Sequence, residues 1–188
     1  MEWPKDKYSW SGKQCVTHGI TINDIASAWH AANALNGTVT YDLSFVQNKS
    51  TDWAAEEIAA IKNITQYDHV EAVEIGNEPD LFGGAFRSPS YSPDDYEREW
   101  TMYESSLSNE WPTTPFVQGG TFCCVGKFQE YQPKFLKKHA SRLKTWSYHH
   151  YPTSTCNGGI STIPQLMSVA SSDWQAYSVR KWVETAQS

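Results

Sequence analysis

Apolar and polar positions repeat along the chain with two different periods, which predict helices and strands in turn. Apolar residues lie on one helical face from Ile22 to Ala32, after the capping sequence at 21–24 and before the stop signal Asn36-Gly37. Runs rich in β-branched and aromatic residues predict strands at 38–45, 69–77, 115–122 and 145–151. Helical patterns follow these strands at about 53–63, 92–109, 133–143 and from 162 onward, whereas residues 1–20 show no clear period.

This order, one helix followed by four strand–helix pairs, is typical of a parallel sheet with right-handed crossovers. No internal repeat or low-complexity segment interrupts the alternation. The sequence therefore predicts an α/β fold, and we treat residues 1–188 as a single domain.

The predicted strand at 69–77 ends in residues suited to chemistry. Its apolar part stops at Gly76, and the polar side chains of Asn77 and Glu78 come next, directly before Pro79. Proline biases the preceding residue toward extended geometry, so Glu78 is predicted to be the last strand-like position. Parallel α/β folds place their chemistry at such carboxyl ends of strands. The alternative is a surface strand end at which the glutamate is incidental.

Three strand ends, in this order along the chain, resemble those of glycoside hydrolase family 79, the β-glucuronidase and heparanase-like enzymes. They are Tyr41-Asp42-Leu43-Ser44-Phe45, Ile75-Gly76-Asn77-Glu78-Pro79-Asp80 and Ser147-Tyr148-His149-His150-Tyr151-Pro152. The resemblance runs over nearly the whole chain. It implies a (β/α)8 TIM barrel, a glycosidase that hydrolyses β-glucuronides or related O-glycosidic bonds with retention, and an oligosaccharide or glycoside substrate. It implies no cofactor and no metal.

The resemblance also assigns roles to single residues. Glu78 takes the place of the general acid/base after the fourth strand, and Asn77 that of the amide that binds the 2-hydroxyl of the sugar. His150 or Tyr151 lines the substrate cleft and supports the nucleophile, and the choice between the two stays open. The alternative for the adjacent histidines is a pair packed at a strand end.

A complete barrel needs about 250 residues. A chain of 188 residues would therefore be an incomplete barrel, approximately strands three to six with their helices, truncated at both ends. The family's nucleophile is a glutamate at the end of the seventh strand. After Tyr151 the only carboxylates are Asp173 and Glu184, and Glu184 continues a helical pattern. We expect the isolated chain to be inactive, and the alternative function is a non-catalytic carbohydrate-binding remnant.

Composition and charge exclude several other classes of function. The net charge is −6 with both signs interspersed, so no basic face favours nucleic acid. No apolar run approaches the roughly 18 residues of a membrane span. Neighbouring strand residues point to opposite faces, so His149 and His150 cannot easily share a metal ion, and no HExxH spacing occurs. Nine tryptophans and ten tyrosines suit sugar stacking and an aromatic core equally.

Sequons at Asn36, Asn48 and Asn63 favour a secretory origin, although the polar residues Met1–Lys7 do not resemble a signal peptide. We expect a secreted or extracellular glycoprotein if the full-length protein carries a signal peptide. The four cysteines have irregular spacing without a zinc signature. We interpret them as buried thiols or one disulfide.

Overall fold

The computed structural model describes residues 7–10, 13–16, 21–149 and 162–187. Two short strands, β1 (Lys7–Trp10) and β2 (Lys13–Val16), form an antiparallel pair at the start. Residues 1–20 show no clear period in the sequence, yet these two runs form strands. Runs of four residues are too short to show a strand period in the sequence.

Helices and strands alternate through the rest of the described chain. They are α1 (Ile22–Ala34), β3 (Val39–Leu43), α2 (Asp52–Thr65), β4 (Val70–Ile75), α3 (Pro93–Leu107), β5 (Val117–Phe122), α4 (Gly126–His139), β6 (Leu143–Tyr148), α5 (Ile163–Leu166) and α6 (Val169–Gln187). Strands β3 to β6 form one parallel sheet in chain order. The predicted α/β fold with a parallel sheet is confirmed. In the part of the chain that the structure describes, no helix is long and apolar enough to cross a membrane.

Helix starts follow the capping sequences in three places. Thr21, Ser92 and Thr162 each form a capping box with the residue three positions later. Helix α4 differs, because it begins at Gly126 and runs through Pro133, where the sequence predicted its start. Phe128 and Phe135 are completely buried on one face of α4, seven residues apart, and this packing holds the helix on both sides of the proline.

The two faces of the parallel sheet differ in polarity because successive strand residues point in opposite directions. Leu43, Val73, Ile75 and Val117 join buried side chains of α1 to α4 in one hydrophobic cluster. The positions that alternate with them, on the opposite face, hold Asp42, Glu74 and Gln118. The helices therefore cover the apolar face, and we call the opposite one the polar face.

Aromatic rings fill most of the space between the sheet and the helices. Tyr96 of α3 contacts Phe45, Phe122 and Phe135, and Trp100 packs edge-on against Phe135. Ring pairs of this kind stabilise a core beyond the area that they bury. The aromatic richness of these residues therefore serves packing, which was one of the two interpretations of the composition.

Candidate active site

The turn after β4 brings the residues of the Asn-Glu-Pro sequence to the carboxyl edge of the sheet. Gly76 has φ 80°, and Glu78 has φ 48° and ψ 49°, so Glu78 lies in the left-handed region. The prediction that Glu78 is extended is wrong. A following proline disfavours the right-handed helical region. The left-handed geometry lets the Glu78 N–H donate to Thr121 O at 3.2 Å, while the Leu81 N–H donates to Glu78 O at 2.9 Å.

The Glu78 carboxyl group contacts an imidazole from the end of β6. Oε1 of Glu78 lies 2.7 Å from Nδ1 of His149, and the two side chains are 22% and 27% exposed. The His149 N–H donates to Phe122 O at 3.0 Å, which continues the pairing of β6 with β5. A carboxyl–imidazole pair that is open to solvent at a strand edge can exchange a proton with a ligand.

The other predicted site residues have different outcomes. Asn77 is exposed beside Glu78, where its amide is accessible to a ligand. His150 and Tyr151 lie outside the described residues, so their predicted roles stay predictions. Sequence reasoning did not give His149 a role of its own. The period of two along a strand could have singled it out, since this period places Ser147 and His149 on one face of the predicted strand and His150 on the other.

Asp80 has a structural role at the carboxyl edge of the sheet that the sequence did not reveal. Its carboxylate is 5% exposed and accepts hydrogen bonds from the backbone N–H groups of Cys123, Cys124 and Val125, the last two at 2.8 and 2.9 Å. It therefore ties the loop after β4 to the loop after β5. The sulfur atoms of Cys123 and Cys124 are bonded to each other. The side chain of Asp80 thus fixes the backbone that follows Glu78.

A row of polar side chains crosses the polar face below the strand ends. Gln118 Nε2 donates to Glu74, Ser147 Oγ donates to Glu74 Oε2 at 3.0 Å, and Thr145 Oγ1 donates to Gln118 Oε1 at 2.9 Å. Asp42 on β3 is aligned with Glu74 in the strand register. The carboxylates of this face are therefore close to one another.

The carboxyl groups of Glu57 and Asp42 have raised pKa values in the folded chain. Burial raises the pKa of Glu57, which accepts from the Ser44 N–H at 2.6 Å, to about 7. Loss of solvation, together with the charges of Glu74 and Glu57, raises the pKa of Asp42 to about 8. The carboxyl group of Asp42 is poorly solvated although the residue as a whole is exposed, so screening by nearby solvent reduces the energetic consequence there. Glu57 is only 6% exposed, so solvent screening reduces the energetic consequence of its raised pKa much less.

These raised pKa values predict that the chain loses stability as the pH rises. Between pH 4.5 and 7 a folded Glu57 binds more protons than an unfolded one, so the free energy of unfolding falls across this window. Glu57→Gln removes the penalty and keeps an oxygen for the Ser44 N–H. We expect the variant to match the wild type at pH 4 and to be about 2 kcal/mol more stable at pH 8 in urea unfolding. Glu130→Gln, at an exposed glutamate, is the control. An equal gain at both pH values would contradict the prediction.

The three sequon asparagines, Asn36, Asn48 and Asn63, all have exposed side chains.

Among the residues that the structure describes, no group of three or more histidine, cysteine or acidic side chains is placed to hold a metal ion. No protein-family model matches the chain, and no curated protein matches it.

Proposed function

We propose that the chain carries the acid/base part of a retaining glycoside hydrolase of the β-glucuronidase type, with Glu78 as the general acid/base. One observation carries the proposal: the carboxyl group of Glu78 is presented at the carboxyl edge of a parallel sheet, 2.7 Å from an imidazole. The three strand-end sequences that resemble glycoside hydrolase family 79 support it. The first two fall at the ends of β3 and β4, and the described part of the third, Ser147 to His149, lies at the end of β6, on the same edge of one sheet.

The reaction needs two carboxyl groups. Glu78 gives its proton to the glycosidic oxygen as the bond from that oxygen to the anomeric carbon breaks, and a second carboxylate attacks the same carbon. Glu78 then takes a proton from water, whose oxygen displaces the second carboxylate. In retaining enzymes the two groups lie about 5–5.5 Å apart. The resemblance assigns the second carboxylate to the seventh strand of a barrel.

A (β/α)8 barrel is part of the proposal. The helices of the described sheet cover one face, and the other carries Asp42, Glu74 and Gln118. In a closed barrel the face away from the helices forms the interior, and the carboxyl ends of the strands hold the active site. The polar face and the position of Glu78 agree with this arrangement.

The sugar is bound through residues beside Glu78. The resemblance assigns to Asn77, whose side chain is exposed, the binding of a hydroxyl group next to the reacting carbon. Binding by His150 or Tyr151 follows from the resemblance, as does the preference for a glucuronide over a neutral sugar. A secreted glycoprotein is likewise inferred from the sequons.

Leaving groups of different acidity test the role of Glu78. A dinitrophenolate departs without protonation, whereas an alkyl alkoxide needs a proton from the general acid. The assay needs a protein that also supplies the second carboxylate. With the two corresponding β-glucuronides, we expect Glu78→Gln in that protein to lower kcat/KM for the alkyl glycoside by about 100-fold or more. The loss for the dinitrophenyl glycoside should be much smaller. Glu71→Gln, at a carboxylate that pairs with Lys144 at 3.1 Å, is the control and should change neither rate.

The outcomes separate the hydrolase from a sugar-binding protein. Equal losses for both leaving groups would remove Glu78 from the role of general acid. In a protein that supplies the second carboxylate, glucuronide binding without hydrolysis, weakened by Asn77→Ala in titration calorimetry, would contradict the hydrolase and favour the carbohydrate-binding alternative. Absence of both binding and hydrolysis would contradict both functions.

A further inference from the structure

The carboxyl groups of β4 and its following loop have partners of different chemical kinds. Glu74 accepts from the amide of Gln118 and the hydroxyl of Ser147, and Asp80 accepts from backbone N–H groups. Amide and backbone N–H groups can only donate, and the Ser147 hydroxyl donates to Glu74. One described partner of Glu78 is the imidazole of His149, whose Nδ1 donates or accepts according to its tautomer. The tautomer of His149 therefore decides which oxygen of Glu78 exchanges the acid proton.

The backbone fixes where the His149 imidazole lies. The backbone N–H of His149 donates to Phe122 O at 3.0 Å. Ser147 lies two residues earlier on the same strand face, and its hydroxyl donates to Glu74 at 3.0 Å. Strand β6 thus presents a hydroxyl group and an imidazole to two carboxyl groups of the β4 segment, across β5. In the contact between Ser147 and Glu74 the group on β6 donates to the carboxylate. If the contact between His149 and Glu78 has the same direction, Nδ1 is the donor.

We propose that His149 is a positioning residue for Glu78: neutral imidazole donates its Nδ1–H to Oε1, so that Oε2 exchanges the proton with the ligand. This inference rests on the proposed function of Glu78. Oε2–H passes to the glycosidic oxygen, the electron pair of the breaking bond goes to the same oxygen, and Glu78 becomes a carboxylate. The Nδ1–H bond strengthens as this charge forms, because hydrogen bonds to ionised acceptors are stronger. His149 neither gains nor loses a proton.

The opposite arrangement would not serve the reaction. If Nδ1 were bare, Glu78 would carry its proton on Oε1 and donate it to the imidazole. The acid proton would then be held between two protein groups. A glycosidic oxygen could receive it only after that hydrogen bond had broken.

The tautomer can be measured without any catalytic activity, by ¹⁵N shifts of the imidazoles in the full chain at pH 8. His69 is an internal reference, because its Nδ1 lies 2.7 Å from the carbonyl oxygen of Gly37, which can only accept. We expect His149 to show the Nδ1–H pattern of His69 and to change to the Nε2–H pattern in Glu78→Ala. A wild-type His149 with bare Nδ1 would overturn the inference, whether or not the chain hydrolyses glucuronides.

Two variants of His149 test its effect on the reaction. His149→Asn keeps an N–H donor on the atom bonded to Cγ, as in Nδ1, and cannot titrate, whereas His149→Ala removes the donor. With the alkyl glucuronide, in a protein that also supplies the second carboxylate, we expect a loss of about 10- to 100-fold in kcat/KM for His149→Ala and recovery of most of it in His149→Asn. The dinitrophenyl substrate should lose much less in both variants. Equal losses for both substrates, or no recovery with asparagine, would contradict a positioning role.

The two experiments fail independently. If the leaving-group test removes Glu78 from the role of acid, the ¹⁵N measurement still reports the direction of the hydrogen bond. If His149 has the bare Nδ1 while Glu78→Gln shows the expected leaving-group effect, the proposed function stands and the inference is wrong.

Discussion

Arg87→Met is expected to lower the free energy of unfolding by about 4 kcal/mol, because it leaves the half-buried Glu99 carboxylate without its cationic partner and several carbonyl groups without their donor. The Arg87 side chain is 3% exposed. Its guanidinium donates to Phe45 O and Val46 O, both at 2.9 Å, and to Glu99 at 2.9 and 3.1 Å. The guanidinium therefore joins the loop after β3 to α3 and to the loop after β4.

Aromatic rings surround the same guanidinium. Its central carbon lies 5.7 Å from the ring centre of Phe45, 5.5 Å from that of Phe82 and 5.9 Å from that of Tyr91. Cation–π attraction is stronger in a desolvated setting than at a surface. A methionine would fill part of the volume but would satisfy none of the polar groups. Arg87→Lys, which keeps the charge without the planar fork, should cost less than the methionine variant.

Urea unfolding at constant pH measures these differences. Arg98, whose side chain is 70% exposed, gives the matched control, and Arg98→Met should change stability by less than about 0.5 kcal/mol. A loss below about 1 kcal/mol for Arg87→Met would show that the carbonyl groups find other donors. The unfolding slope should stay unchanged, so that the midpoint alone reports stability.

The elements of the fold were predictable because their signals are local. Capping boxes at Thr21 and Ser92, and β-branched runs such as Val39–Leu43, depend on residues a few positions apart. Helix α4 was predicted to start too late, since the rule about proline is local while the packing of Phe128 is not. Local patterns therefore gave the order of elements and misplaced a boundary that tertiary contacts decide.

The candidate site was predictable only in part, for the same physical reason. Glu78 and Asn77 could be singled out from the strand end and the resemblance. Arg87 is 42 positions from Phe45, and His149 is 71 positions from Glu78, so no local pattern joins the members of either pair. The conformation of Glu78 also escaped prediction, because its N–H bonds to Thr121 on the next strand.

Gly120→Ala should be severely destabilising, with an expected loss of about 4 kcal/mol, since two independent costs coincide there. Gly120 has φ 105°, which L side chains rarely adopt, and an added Cβ would lie 2.0 Å from Ser147 O. Ser147 is the register partner of Gly120 in β6 and cannot retreat without disturbing the pairing with β5. The substitution should therefore separate the two strands at the point where β6 presents His149.

Alanine substitutions at two other glycines separate the backbone cost of Gly120→Ala from the cost of its steric clash. Gly84 has φ 83° with nothing within 4 Å of an added Cβ, so Gly84→Ala should show the backbone cost alone, about 1–2 kcal/mol. Gly126, at the start of α4, has open space and no positive φ, and Gly126→Ala should be neutral or stabilising by up to about 1 kcal/mol. If Gly120→Ala costs no more than Gly84→Ala, the clash with Ser147 is relieved elsewhere. The β6 strand would then not be held against β5 tightly enough to fix the His149 imidazole.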